Sequence, residues 1–398
     1  MDKIDELLIR GVDKIYPSKE AFEKVLRSGK KISLYQGFDP SGIQLHIGHM
    51  IGLRKLSQFQ QLGHRVIFLI GDFTGMIGDP SGKLSTRKAL TKEQVLSNAK
   101  DYVNQVKKIL DFNGKNPVEV KFNSKWLSKL TFADIIQLTS FFTAQQMIER
   151  DMFQERLKAG KEISLTEFLY PVMVAYDAAE MNVDLEIGGT DQTFNMIAGR
   201  KLIEHMRHKE KFVLTVPLLT DSSGRKIGKT EGNVIALTAA PNDFYGMVMS
   251  LPDDVIAKSF EFITDLPMNQ VEQIKKDLKS SKNPMQYKKL LAFTLTKMLN
   301  NEEKAKKAQK EFERVFQKRL NPTAPFEKEI LNGSYSITEL IYYSGLTTSK
   351  SQAKRLIEEG AVELDGKRIT DTNFKAILMK DKPLLLKVGR KFIKVLPN

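Results

Sequence analysis

Tyr35-Gln36-Gly37-Phe38-Asp39-Pro40-Ser41-Gly42-Ile43-Gln44-Leu45-His46-Ile47-Gly48-His49 reads as a strand, a sharp turn and the start of a helix. Ile32, Ser33 and Leu34 lead in with the short apolar run of a strand. Gly37, Pro40 and Gly42 break it, and Ile51, Leu53, Leu56 and Phe59 follow at helical spacing. This is half of a βαβ unit. Such units bind ligands beyond the carboxyl end of the strand, where helix N-terminal amides favour anions such as phosphate. His46 and His49 lie three residues apart, so on a helical turn their rings share a side, and Gly48 between them lets a flat ligand approach the backbone. Two imidazoles facing a phosphate are hydrogen-bond donors; the same pair on a solvated or packed helix face would need no ligand. A zinc site fits less well, because the chain has no cysteine and no third ligand stands nearby at a suitable spacing.

At 398 residues the chain can carry two or three domains, and 41% hydrophobic with 28% charged residues is the composition of a globular protein. A formal net charge of +14 points to a polyanionic partner, with RNA the leading candidate. Without cysteine there is no disulfide and no thiol nucleophile, which fits a reducing compartment. The longest apolar run, Val66 to Ile70, is far too short to span a bilayer, and the N-terminal residues have the pattern of neither a secretory nor a transit leader. A cytoplasmic protein with no membrane partner is expected.

Further strands are expected over His64 to Ile70, Val118 to Phe122, Asp184 to Ile187 and Phe212 to Val216. The first runs into a glycine-rich loop, Gly71 to Lys83, of the kind that comes close to a ligand. Thr91 with Gln94 makes a capping box for a helix through about Leu110, and helical patterns recur from Thr131 to about Asp151. Tyr170, Val174 and Asp177 are spaced to share one helix face, and an Asp on a largely apolar face needs a partner. Gly188-Gly189-Thr190-Asp191-Gln192 opens another helix, with Thr190 or Asp191 a plausible N-cap. Asp221 to Thr230 is a glycine-broken loop with Arg225, Lys226 and Lys229, suited to meeting phosphates or merely solvated.

From Pro241 to about Lys318 the strands stop and helical periodicity takes over. Asn321-Pro322-Thr323-Ala324-Pro325 is a linker signal. The last stretch, Ser334 to Asn398, holds twelve Lys and Arg against seven Asp and Glu, with Lys350, Lys354 and Arg355 on one helix. The expected architecture is therefore α/β. A Rossmann-type parallel-sheet nucleotide-binding domain over 1–235 carries an insertion at about 110–165. A helical domain at 236–320, a linker at 321–333 and a small α+β domain at 334–398 follow.

His46-Ile47-Gly48-His49 is similar to the first signature of the class I aminoacyl-tRNA synthetases, and Lys226-Ile227-Gly228-Lys229-Thr230 resembles the second. The lead-in Tyr35 to Pro40 closely resembles the tyrosyl-tRNA synthetases, and the likeness covers nearly the whole chain. It implies activation of L-tyrosine with ATP and Mg2+, without a protein-bound metal, and transfer of the tyrosyl group to tRNA(Tyr) by a homodimer whose interface is the insertion. The resemblance implies that Tyr35 and Asp177 meet the substrate phenol, with Thr74, Asp79, Asn123, Tyr170 and Gln192 around the rest of the amino acid and Trp126 in the wall. It puts Gly37, Asp39, Gly48, Gly188, Gly189, Asp191 and Lys229 at ATP. His46, His49, Lys226, Lys229 and Thr230 would stabilise the transition state, with Lys83 and Arg87 closing over pyrophosphate. The last domain resembles a small RNA-binding module, with Lys350, Lys354 and Arg355 on phosphates.

There is one departure: Val174 stands where this family usually has Gln, and valine cannot hydrogen-bond. Three rival readings remain. A tryptophanyl-tRNA synthetase shares both signatures but would not be expected to carry the Tyr35 and Asp177 pair. A small-metabolite nucleotidyltransferase uses His-x-Gly-His but has no need of the RNA module. An RNA-binding protein on a synthetase scaffold would have no need of intact signatures.

Overall fold

A computed structural model of the chain describes residues 2–81, 89–227, 234–280, 282–317, 326–380, 382–389 and 391–398. Lys83, Arg87, Lys229 and Thr230, expected at the site, lie outside the described residues. The chain divides into two compact units, Met1–Gln309 and Lys310–Asn398.

The first unit is built on a six-stranded sheet of β1 (Lys14–Tyr16), β2 (Ser33–Phe38), β3 (Arg65–Ile70), β4 (Glu119–Phe122), β5 (Leu185–Gly189) and β6 (Phe212–Val216), in the order β1-β6-β5-β2-β3-β4. The five longer strands run parallel, and β1 closes one edge antiparallel to β6. Strands covered on both faces read as continuous apolar runs, and in β3 every residue from Val66 to Ile70 is buried. From β2 the chain proceeds to β3 and β4 on one side, whereas β5 and β6 lie on the other. Strand order thus reverses between β2 and β5, and a crevice opens beyond their carboxyl ends.

The helices Leu165–Met181 and Thr193–Arg207 pack over this point, sharing a core with Tyr35, Ile67, Val172, Ala175 and Leu202. Leu165–Met181 starts with a capping box between Ser164 and Glu167. Glu167 also holds the fully buried Arg156 through two bonds of 2.8 Å. Later helices, including Ile256–Ile263, belong to the same unit. Buried Arg10 donates to the carbonyls of Phe260, Glu261 and Thr264, and Arg54 donates to that of Phe262 and pairs with Asp265. Two guanidinium groups thus satisfy the orphan carbonyls at that helix's C-terminus, where cations are also favoured by the dipole.

Three local features differ from expectation. The helix expected from Thr91 to Leu110 is two, Lys92–Ala99 and Tyr102–Val106, although its Thr91–Gln94 capping box is present. The break frees the second helix to serve the turn after β2. There the Tyr102 hydroxyl donates to the Gly42 carbonyl at 2.6 Å, and Gln105 bonds to Ile43 and Leu45. Residues 1–30 read in sequence as two short helices around Pro17, and the three-residue β1 lies between them. Phe326–Ile330, in the stretch read as linker, is a strand.

That strand, β7 (Phe326–Ile330), is parallel to β13 (Lys391–Pro397) in the second unit. The unit's five-stranded sheet runs β10-β9-β12-β13-β7, with β9 (Val362–Leu364), β10 (Lys367–Ile369) and β12 (Leu384–Val388). Between β9 and β10, Asp365 at φ 48° and Gly366 at φ 81° make the tight turn whose two positive-φ residues match the strand twist. A two-stranded ribbon pairs β8 (Gly333–Ser336) with β11 (Lys375–Leu378). The helices Ile337–Tyr343 and Lys350–Glu358 complete a core of its own that includes Ile337, Leu340, Ile341, Ala353 and Ile357.

Candidate active site

A cavity of about 340 Å³ lies where the strand order reverses. Its most buried carboxyl group is that of Asp177, on the helix Leu165–Met181. Asp177 accepts from Asn123 Nδ2 at 3.0 Å and from Trp126 Nε1 at 2.7 Å. Asn123, just beyond β4, is fully buried and fully used: its Oδ1 accepts from the Phe73 amide and its Nδ2 also reaches Thr74 Oγ1. The Thr74 hydroxyl donates to Asp39 Oδ1 at 2.7 Å, and Tyr170 Oη donates to Asp39 Oδ2 at 2.8 Å. Burial pushes the Asp177 carboxyl well above the usual carboxylate range, against the pull of Asn123 and Trp126, and Asp39 and Glu186 push it further up.

Tyr35, on β2, faces the same end. Its hydroxyl is buried and makes no hydrogen bond of good geometry, with the Glu186 carboxylate only approaching it, whereas the other buried tyrosine hydroxyls, those of Tyr102, Tyr170 and Tyr245, each have a partner. Burial and then the negative charges of Glu186 and Asp177 push its pKa well up, so it stays a neutral phenol. A buried polar group left open in this way costs free energy until something completes it.

Asp79 also lines the cavity, accepting from the Ser81 amide at 3.0 Å and from Gln192 Nε2 at 2.6 Å. Gln192 is steadied in turn by Asn195, whose Nδ2 donates to Gln192 Oε1 at 2.9 Å. Val174 lines this region and contributes no polar group. The pairs Asp79–Gln192 and Asp39–Tyr170 form without it.

The two histidines lie on the outer side, in the turn Ile47–His49 that precedes the helix Met50–Gln61. His49 Nδ1 accepts from the His46 amide at 3.0 Å and His46 Nδ1 accepts from the Gly48 amide at 3.2 Å, with ring centres 3.9 Å apart. Because each Nδ1 accepts, each neutral ring carries its proton on Nε2, as a donor. The Ile47 amide donates to the Ile235 carbonyl, and the Leu237 amide to the Leu45 carbonyl. These bonds dock the first signature against the chain leaving the second. A Cβ on Gly48 would lie 3.3 Å from the Ile227 carbonyl, which is the close approach its glycine permits. Lys226 Nζ pairs with Asp191 Oδ2 at 2.7 Å.

Gly37, Gly48, Gly188 and Gly189 line the cavity with these groups. A Cβ on Gly188 would lie 2.9 Å from Met196 Sδ, so this glycine is already needed for helix packing. The other described residues expected at the amino acid or the nucleotide meet in one cavity of the first unit, whereas Trp126, expected in its wall, bonds to Asp177 without lining it. Lys350, Lys354 and Arg355 lie in the second unit, on the exposed side of Lys350–Glu358, opposite the buried Ala353 and Ile357.

Sequence reasoning missed Glu186, a cavity residue on β5 paired with the fully buried Lys211, and also Asn195. A carboxylate inside an otherwise apolar strand was the available signal, since it requires a buried cation. It also missed Arg150, which donates to Ser81 Oγ at 2.8 Å and lies over the Phe194 ring. Among the described residues no three His, Cys, Asp or Glu side chains gather as a metal site would, and no helix is long and apolar enough to cross a membrane.

Residues 27–317 match the model of the class I tRNA synthetases for tryptophan and tyrosine, and residues 339–376 match the S4 domain. The tyrosine–tRNA ligase of Thermotoga maritima is 42% identical over 98% of this chain and 96% of its own. That of Dehalococcoides mccartyi is 43% identical over 94% of each. Among solved structures, the C-terminally truncated mitochondrial tyrosyl-tRNA synthetase of Aspergillus nidulans superposes with a TM-score of 0.67 at 21% identity, covering 79% of this chain and 94% of its own. At that identity the likeness speaks for the fold alone.

Proposed function

The chain belongs to the tyrosine–tRNA ligases of the class I aminoacyl-tRNA synthetases, and from that membership we propose how its residues share the work. Tyrosine enters ring first. Its phenol completes the buried Tyr35 hydroxyl and bonds to Asp177, which Asn123 and Trp126 hold in place. A pocket built to pair a hydroxyl rejects the analogue lacking it, because its own polar groups would be left unpaired, an effect for which this family is itself the reference case. The tyrosine ammonium meets Asp79 and the remaining lone pairs of Tyr170, with Gln192 beside them, so the missing amide at Val174 is tolerated.

ATP, as its Mg2+ complex, lies across the histidines and the glycines after β5. Its ribose takes over Asp191 from Lys226, which swings to the phosphates. The tyrosine carboxylate attacks the α-phosphate in line, forming tyrosyl-adenylate and releasing pyrophosphate. The Nε2 donors of His46 and His49, with Lys226, Lys229 and Thr230, stabilise charge as it spreads over the phosphates, while Lys83 and Arg87 close over the pyrophosphate. The tyrosyl group then passes to the terminal ribose of tRNA(Tyr), whose backbone is gripped by Lys350, Lys354 and Arg355. We place this reaction in the cytoplasm and in a homodimer. Phe132 and Leu165, both 81% exposed, support a second copy covering the insertion.

The observation carrying this reading is the open, buried hydroxyl of Tyr35 beside Asp177. The test is amino-acid-dependent exchange of pyrophosphate into ATP, without tRNA, for each of the twenty amino acids. Exchange with tyrosine alone is expected; exchange with tryptophan, or none at all, would overturn it.

A further inference from the structure

The second unit carries two aromatic rings that its own core does not use, and we infer that they form a stacking platform for an unpaired base of the bound tRNA. The helix Ile337–Tyr343 buries Ile337, Leu340 and Ile341 completely, while Tyr342 and Tyr343 at its C-terminal end are 40% and 45% exposed. They are the only exposed members among the chain's ten tyrosines. Neither hydroxyl has a hydrogen-bond partner among the described residues. Two exposed tyrosines alone would be ordinary surface residues.

Their surroundings set these two apart. The rings of Tyr342 and Tyr343 lie 5.7 Å apart, and Tyr343 meets Tyr335 edge to face at 6.0 Å and 78°. Tyr335 is anchored in turn by its hydroxyl, which donates to the Leu331 carbonyl at 2.9 Å. The rings are thus held in advance of binding, which lowers the ordering cost of using them. Lys350 Nζ, paired with Glu339 Oε1 at 3.1 Å, lies over the Tyr343 ring 5.7 Å from its centre, and Lys354 follows one turn along the same helix, exposed and with no ion pair among the described residues. Cations that take phosphates beside ring faces that take bases are the combination by which proteins hold unpaired nucleic acid. The basic balance of the last stretch of chain favours a polyanion over a protein partner on this surface.

The inference rests on the reading of the second unit as a tRNA-binding part, and the test separates the two. Binding of the full chain to a tRNA(Tyr) transcript is measured over a range of salt concentrations for the unmodified protein and for Tyr343→Ala, Tyr342→Ala, Tyr343→Phe and Lys354→Ala. Tyr343→Ala weakens binding about tenfold with the slope against salt unchanged, whereas Tyr343→Phe, which keeps a ring, binds as the parent does. Tyr342→Ala weakens it less. Lys354→Ala weakens binding and lowers the slope by about one. Loss with Lys354→Ala but none with Tyr343→Ala overturns the platform and leaves the RNA reading standing; loss with neither overturns both. Altered self-association in Tyr343→Ala with unchanged RNA affinity marks a protein contact and also overturns the platform.

Discussion

At the scale of single residues, the site depends on polar groups that stand at apolar positions. Asp177 on a helix face shared with Val174, and Tyr35 inside a strand, announce buried polar chemistry by their placement. Glu186 and Lys211 were not legible as a pair, because the cation that holds the carboxylate comes from the neighbouring strand's approach and not from local spacing. Tyr35→Phe removes the open hydroxyl, so preference for tyrosine over phenylalanine in pyrophosphate exchange falls about tenfold or more with little loss of stability. Asp177→Asn keeps the shape but puts a donor among donors, since Asn123 and Trp126 both give protons to this position. A drop of about a hundredfold in kcat/KM for tyrosine is expected. The acid limb of the parent's kcat/KM profile follows from the raised carboxyl of Asp177: the ionised acceptor is lost as pH falls, and at a higher pH than for an ordinary Asp. That limb moves in Asp177→Asn; an unmoved limb, or unchanged preference, contradicts this pocket.

At the scale of elements, the parallel strands and the long helix could be read from periodicity because burial on both faces leaves an unmistakable apolar run. The split at Lys100 and Asp101 could not, since the second short helix answers to Gly42, Ile43 and Leu45, far away in sequence. Leu165–Met181 is the element on which the substrate wall depends, carrying Tyr170, Val174 and Asp177. Its first turn is fixed by Glu167, which caps the Ser164 amide at 3.0 Å and grips the buried Arg156. Glu167→Ala leaves an uncompensated buried guanidinium and an open helix end at once. Removing one partner of a buried ion pair costs roughly 3–5 kcal/mol. The urea midpoint of the first unit falls accordingly, and the KM for tyrosine rises with the loosened wall. Arg156→Met with Glu167→Leu, which removes both charges, recovers most of the stability; if the single change costs less than about 1 kcal/mol, the pair does not fix this helix.

At the scale of the whole molecule, composition marks where strands end and helices take over, but not that Arg10 and Arg54 bind the Ile256–Ile263 helix into the first unit. Those guanidiniums sit among apolar neighbours in the sequence and look like surface charge until the fold closes over them. Lys55 is a third cation enclosed by the same junction, its Nζ donating to the Leu7 carbonyl at 2.6 Å. Burial, with Arg54 nearby, lowers its pKa from 10.5 to about 7. Between these values the unfolded chain holds more of this proton than the folded one, so Lys55 makes stability rise with pH across that window, and below about pH 7 its burial costs the full amount. Unfolding of the parent in urea at pH 7 and at pH 9 should therefore show a gain attributable to Lys55 of at most about 2–3 kcal/mol, at ~1.4 kcal/mol per pH unit. Lys55→Met, similar in length and uncharged, loses that gain and is the more stable protein near neutral pH, provided the Leu7 carbonyl finds water. Comparing parent and variant cancels every other group that titrates in the window. Parallel slopes in the two proteins would mean that Lys55 keeps its charge when folded, and that the surroundings of Lys55 and the Leu7 carbonyl admit more water than their packing implies.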